Sequence, residues 1–150
     1  MPEPRVDVRL LRRDEHAVLD HVAPGVFDAG VDARLTAEFL GDARHHLAVA
    51  VDDACVVGFA SAVHYVHPDK PAELFINEVG VAASHRQQGL GRRLLEVLLA
   101  HGASLGCRQA WVLTGTGNHP ARRLYEAAGG RAAAELSIMY EFPLAPKADA

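Results

Sequence analysis

The segment Val79-Gly80-Val81-Ala82-Ala83-Ser84-His85-Arg86-Gln87-Gln88-Gly89-Leu90-Gly91-Arg92-Arg93-Leu94-Leu95 constrains this chain more than any other. An apolar strand enters a polar turn, and Gly89 and Gly91 strip that turn of side-chain bulk. A helix then starts at once, with Leu90, Leu94, Leu95, Leu98 and Leu99 at helical spacing. The first N–H groups of such a helix have no partner within it, and the aligned peptide dipoles put about half a positive charge there. Strand, glycine turn and helix start in this order make a ready pyrophosphate site. Two other phosphate loops are excluded: there is no Gly-Lys-Ser/Thr, and the Gly-x-Gly pair does not extend to Gly-x-Gly-x-x-Gly.

The rest of the chain builds around this unit. Val6, Val8 and Leu10 alternate within a first strand, 5–10, and a short helix is expected from Asp14 to Val22, ended by Pro24-Gly25. Asp32 can cap a second helix, with Leu35, Phe39 and Leu40 on one face and Gly41 as its stop. Leu47–Val51 and Val56–Val66 form a hairpin joined at Asp52-Asp53-Ala54, and Leu74–Val81 is the strand that feeds the glycine turn. After the long helix come a strand over Gln109–Thr114 and a short helix capped by Asn118, with Pro120 in its first turn and Gly129-Gly130 after its end. Leu136–Phe142 is expected to close the chain as a final strand, with 144–150 as a frayed tail. The order β, α, α, β, β, β, α, β, α, β describes a mixed α/β sheet in a single domain, 1–150.

Composition narrows the setting. With 150 residues, 49% hydrophobic and 23% charged, the chain can bury a core without metal or disulfide staples. No apolar run approaches the length of about 18 residues that crosses a bilayer, and the first residues lack the apolar stretch of a signal peptide, so a cytoplasmic protein without membrane contact is expected. Cys55 and Cys107 read as unlinked buried thiols of a reducing compartment. The net charge of −4 disfavours nucleic acid and suits a cationic partner. His45-His46 and His64-x-x-His67 have no acids or cysteines at ligand spacing, so no metal is expected.

Arg86-x-x-Gly89-x-Gly91 after an apolar strand resembles the Gln/Arg-x-x-Gly-x-Gly/Ala signature of the GNAT N-acetyltransferases. Asn118-x-x-Ala121-x-x-Leu124-Tyr125-x-x-x-Gly129, after the next strand, resembles the family's second motif, and together the two cover roughly residues 74–130. The resemblance implies the GNAT fold: a central mixed, mostly antiparallel sheet with splayed middle strands, flanked by helices. It implies acetyl-CoA as cosubstrate, with its pantetheine arm between the strands at 74–82 and 109–114. It assigns main-chain groups of Val79, Gly80 and Val81 to pantetheine, the turn from Arg86 through Gln87, Gln88, Gly89, Leu90, Gly91 and Arg92 to pyrophosphate, and Asn118, Ala121 and Tyr125 to the same coenzyme. Arg92 and Arg93 are candidates for the 3′-phosphate, with a solvated helix face as the plain alternative. Gly80, inside an apolar strand, fits a bulge or a close backbone approach. A homodimer is expected because dimers are common in the family.

Acetyl transfer to an amine needs a proton acceptor, because an amine at neutral pH is mostly protonated, and it needs a donor for the departing thiolate. Glu78, on the strand that reaches the acetyl group, is the candidate base, with an exposed strand glutamate as the alternative. Tyr125 matches the family tyrosine beside the coenzyme sulfur and is the candidate acid, with a merely packed tyrosine as the alternative. Val57-Gly58-Phe59-Ala60-Ser61-Ala62, Tyr65, Pro68, Glu73 and the acid at Glu78 resemble the aminoglycoside 3-N-acetyltransferase group. An aminoglycoside acetylated on its 3-amino group, with resistance as the outcome, is therefore the expected acceptor. Asp28, Asp32, Glu38 and Asp42 fall in the helical segment that walls the acceptor side of the family's cleft, and Asp28 and Asp32 join Glu78 as the expected substrate carboxylates. Peptide N-termini, polyamines and other small amines stay open as acceptors. So does a coenzyme-binding sensor without turnover, against which Glu78 and Tyr125 together argue.

Overall fold

The computed structural model of the chain describes residues 6–146. Five strands form one sheet in chain order: β1 (Asp7–Leu10), β2 (His45–Asp52), β3 (Cys55–Tyr65), β4 (Glu73–Val81) and β5 (Gln109–Val112). The first four are antiparallel neighbours, and β5 joins β4 in parallel, so the architecture is the expected mixed, mostly antiparallel sheet. Arg5, expected to begin β1, lies outside the described residues. The β2–β3 hairpin turns on Asp53 and Ala54, whose φ of 47° and 62° give the consecutive left-handed pair that matches strand twist in a tight turn.

The core forms where both faces of β2 and β3 are covered. Leu47 to Ala50 and Val56 to Ala60 are buried without alternation, the pattern of strands that carry structure on each side. Helix α2 (Leu90–Ser104) lies across β1 to β4 with Leu90, Leu94, Leu95 and Leu98 buried against them. Gly102 permits that approach, since a Cβ there would stand 2.8 Å from a Leu74 methyl. Helix α1 (Ala33–Gly41) starts where Asp32 caps it, its carboxylate accepting from Leu35 N at 2.9 Å, and helix α3 (His119–Ala127) starts at Asn118, whose side chain accepts from Ala121 N at 3.2 Å. Cys55 and Cys107 are free and half-buried rather than buried. Among the described residues no helix is long and apolar enough to cross a membrane.

Two expected elements differ. The helix over Asp14–Val22 is only a 3₁₀ turn at His16–Asp20. It has no side-chain cap, because Glu15 spends its carboxylate on Arg12 N and Arg9, and it buries Leu19 alone. The expected strand at Leu136–Phe142 is irregular and exposed: it pairs with no described strand, and alternation alone cannot hold a strand that lacks a neighbour. The parallel pair β4–β5 consequently sits at the margin of the described sheet rather than in its middle. Of the expected tail, residues 144–146 have no regular structure, and 147–150 lie outside the described residues.

Candidate active site

The glycine turn has the geometry expected of an anion cradle. After β4 the chain makes a 3₁₀ turn at Ala83–His85, and Gln87 and Gly89 then take left-handed φ of 63° and 74°. Gly89 caps α2 with no side chain, and the helix's first turn carries no acidic residue. Its first N–H groups, on Leu90, Gly91 and Arg92, have no acceptor within an α-helix; the ladder opens with Arg93 N bonded to Gly89 O at 3.1 Å. Those donors and the helix dipole are what the turn offers a phosphate.

The side chains of the turn do other work. Arg86 folds back so that Nε donates to Val81 O at 3.3 Å. Arg92 pairs with Glu96 at 2.9 Å, and an Arg93 nitrogen donates to Val6 O at 3.3 Å, so both candidates for the 3′-phosphate are engaged within the chain. Gly91 is buried for a packing reason: a Cβ there would lie 3.1 Å from both methyls of Leu124 on α3. His85 bridges Ser84 Oγ and Asp52 Oδ2 at 2.7 Å each, which ties the turn to the β2–β3 hairpin.

Beside the turn, β4 has a free edge. Its ladder with β5 runs from Glu73↔Gln109 to Ile76↔Val112 and stops, whereas its ladder with β3 continues to Val81. Among the described residues, Val79, Gly80 and Val81 thus have no strand partner on the β5 side. The irregularity lies at Asn77, not at Gly80: Ser61 faces Glu78 and Ala62 faces Ile76, which leaves Asn77 as the extra residue of a β-bulge. Gly80 is a close approach, but to the protein itself, since a Cβ there would collide with the Val26 carbonyl and the Phe59 ring.

The bulge opens onto a cavity of about 370 Å³ formed between the sheet, the 27–32 loop and α1. Asp28, Asp32 and Glu78 all line it, so the structure brings together the three expected substrate carboxylates. Asp32 serves twice, capping α1 with one oxygen and reaching the cavity. Glu38 is exposed on α1 and does not line it. Asp42 is held by Arg44 at 2.9 and 3.1 Å, which keeps its carboxyl well below the usual range. Sequence reasoning missed Ser61, Asn77, Phe27 and Phe59 as cavity residues; Phe27 stacks on Phe59 with ring centroids 4.0 Å apart. A signal for the bulge does exist, because the apolar phase of β4 shifts between Leu74/Ile76 and Val79/Val81. Tyr125 lies apart from this cavity on α3, half-buried, and burial pushes its phenol pKa up.

Metal-ligand geometry is absent: among the described residues no group of three or more His, Cys, Asp or Glu could hold an ion. His46, His64 and His101 do meet, but nitrogen to nitrogen, at 2.7 Å and 3.1 Å, so in each pair one ring N–H donates to the other ring's nitrogen and the contacts define no common centre.

With this geometry in view, the comparisons with known proteins converge. The family model described as "Acetyltransferase (GNAT) family" matches residues 12–129. A mycothiol acetyltransferase of Thermomonospora curvata is 32% identical over 142 residues, 93% of this chain but 45% of the relative, so the chain spans about half the length of that curated protein. Among solved structures, an aminoglycoside acetyltransferase from an uncultured soil metagenomic sample superposes with a TM-score of 0.77 at 22% identity, covering 94% of this chain and 99% of the other. AAC(6')-Iy in complex with a coenzyme A bisubstrate analogue gives 0.72 at 25%, covering 93% and 99%.

Proposed function

The chain belongs to the acetyltransferase (GNAT) family, and from that premise we propose that it is an acetyl-CoA-dependent N-acetyltransferase acting on the primary amine of a small polycationic acceptor, an aminoglycoside. The observation that carries the acceptor class is the meeting of Asp28, Asp32 and Glu78 in one cavity beside the free edge of β4. A single ammonium needs one counter-charge; three carboxylates around one space suit an acceptor that carries several. The 3-amino group is the position that the sequence resemblance favours, and AAC(6')-Iy among the structural relatives makes the 6′-amino group the position to test against it.

Acetyl-CoA supplies the activated acetyl thioester, and the fit of this chain to it rests on the unpaired N–H groups at the start of α2 and the unpaired edge of β4. The carboxylate of Glu78 takes the ammonium proton, directly or through water, so that the nitrogen lone pair is free to attack. Asp28 and Asp32 hold the remaining ammonium groups and orient the acceptor. A main-chain N–H on the free edge of β4 is available to the developing oxyanion. The Tyr125 phenol, kept protonated by burial, is the donor that returns a proton to the departing sulfur. In this scheme the amide C–N bond forms and the thioester C–S bond breaks. One nitrogen proton goes to Glu78; the second leaves as the amide forms and restores the Tyr125 phenol that protonated the sulfur, so the net release is the single proton held by Glu78.

One observation favours a second acceptor class. Leu19, Phe27, Val31, Phe39, Leu47 and Phe59 give the cavity mostly apolar walls, which suit a peptide N-terminus or another small amine with an apolar body. Thiol release from acetyl-CoA across a panel of aminoglycosides, polyamines and peptides separates the readings, with NMR of the product locating the acetyl group. Turnover on aminoglycosides is the expected result. Turnover confined to peptides or apolar amines transfers the assignment to the second class. Binding of acetyl-CoA with no release for any amine leaves a sensor domain.

A further inference from the structure

The cavity beside the β4 bulge has a charged mouth and an apolar floor. Asp28, Asp32, Asn77 and Glu78 line it from exposed positions, whereas Leu47 and Phe59 below them are buried. Two hydroxyl side chains also line it from buried positions, Thr36 on α1 and Ser61 on β3, each 9% exposed. They differ in what they hold. Thr36 Oγ1 donates to Asp32 O at 2.8 Å, so the start of α1 uses it. The Ser61 hydroxyl makes no hydrogen bond among the described residues, and it is not sealed off. His45 Nδ1 is the one side-chain atom among those residues that is both closed to solvent and unpartnered. A serine nine-tenths buried thus turns an unspent donor into the cavity.

The place of Ser61 in the sheet fixes what that donor meets. Across the strands it lies opposite Leu47 on β2 and opposite Glu78 on β4. Side chains directly opposite one another share a face, with Cβ atoms about 5 Å apart. One neighbour of Ser61 is therefore hydrocarbon and the other is the candidate base. An acceptor whose nitrogen sits against Glu78 puts the substituent of its next carbon within reach of the Ser61 hydroxyl. As the acceptor displaces water from the floor, a hydrocarbon body leaves that hydroxyl unpaired, which costs free energy, whereas an oxygen accepts from it. By this asymmetry a hydrogen-bonding site rejects an analogue that lacks the matching group.

We propose that Ser61 is a specificity-determining residue, whose hydroxyl donates to an oxygen on the carbon next to the one that bears the acetylated amine. The acceptor class narrows accordingly to amines that carry such an oxygen. The ether and hydroxyl oxygens beside the amines of an amino sugar qualify, as does the first carbonyl of a peptide; a linear polyamine has none. This inference rests on the reading of the cavity as the acceptor site of an acetyltransferase, with Glu78 at the amine.

A matched pair of diamines tests it. Bis-aminoethyl ether and cadaverine share chain length and both terminal amines, and differ only by an oxygen in place of the central methylene. The ratio of their kcat/KM values, ether over cadaverine, should fall roughly tenfold from wild type to Ser61→Ala, the scale of a hydrogen bond exchanged for an unpaired hydroxyl. The different basicity of the two probes is common to both proteins and cancels in that comparison. A ratio that Ser61→Ala leaves unchanged overturns the proposal. Ser61→Thr keeps the hydroxyl and should keep the ratio; a loss as complete as in the alanine variant would assign the preference to the shape of the floor and overturn it too. The same ratio read as calorimetric Kd values in the presence of coenzyme A needs no turnover. A protein that releases no thiol with any amine therefore refutes the acetyltransferase reading by itself, while binding still decides the role of Ser61. Wild type that binds the ether no better than cadaverine overturns that role.

Discussion

Glu78 owes its position to its neighbour. Successive residues of a regular strand point to opposite faces, but the extra residue Asn77 lets both line one cavity, so a one-residue defect in the ladder aims the candidate base at the acceptor. Glu78→Gln keeps size and hydrogen bonding while removing charge and basicity. Turnover on the best amine of the panel should fall by about 100-fold or more, the scale of a positioned base, with acetyl-CoA affinity near wild type and partial recovery as rising pH deprotonates the amine. Full activity at neutral pH would remove Glu78 from that role. For Tyr125 the sign follows from burial, which favours the protonated phenol and keeps the donor available at neutral pH. Tyr125→Phe should lower kcat with little change in acetyl-CoA binding, read by steady-state kinetics beside calorimetry; an unchanged kcat across the pH range would reduce Tyr125 to packing.

At the scale of elements, the two glycines of the turn before α2 are separable. Gly89 takes φ of 74° with nothing within 4 Å of where its Cβ would be, so an added side chain is strained and points into open space at the helix start. Gly91 has ordinary helical geometry but touches Leu124, so a side chain there pushes on α3. Gly89→Val should cost about 1–2 kcal/mol of stability through the left-handed backbone and shrink the rise in Tm that acetyl-CoA produces. Gly91→Val should displace α3 and with it Tyr125, lowering turnover more than it lowers acetyl-CoA binding. Scanning calorimetry with and without acetyl-CoA, set beside turnover, checks both; equal loss in the two variants would mean that Gly91 also lies against the phosphates. The turn was readable from residues alone because glycine spacing and helical periodicity are local properties. The reason for Gly91 was not, because Leu124 reaches it only after two helices have packed.

At the scale of the whole molecule, a row of imidazoles joins sheet to helix. His46 on β2 sits between His64 on β3 and His101 on α2, with the His45 imidazole as a further neighbour, and burial pushes its pKa from 6.5 to about 4. The folded chain therefore refuses a proton that the unfolded chain accepts. Stability is complete above pH 6.5, falls as the pH drops from 6.5 to about 4, and is lost no further below that from this group. The shift corresponds to at most about 3 kcal/mol. Urea unfolding midpoints should decline across this window, and the part of it above pH 4.5 lies clear of the range in which the lowered carboxylates Glu15 and Glu73 lose their contribution. His46→Leu should flatten the decline, and an identical pH profile in that variant would exclude His46 as its source.

Local chemistry determined the parts of this protein that the sequence makes legible. Alternation marked β1, runs of strand-favouring residues marked β2, β3 and β4, the leucine spacing marked α2, Asp32 and Asn118 marked the starts of α1 and α3, and the glycine turn with its second motif carried the family. Each of these depends on backbone preferences and short-range hydrogen bonds that a few residues settle among themselves. The cavity was another matter. Its carboxylates come from a loop, a helix cap and a bulged strand, and Phe27 meets Phe59 only because the 27–32 loop lies across the sheet. The row of imidazoles likewise spans residues 46, 64 and 101. The segment 136–144 shows the boundary most plainly: period-two alternation declares a strand with one apolar face, but pairing is a property of two strands, and the tertiary structure leaves this one without a partner in its own sheet.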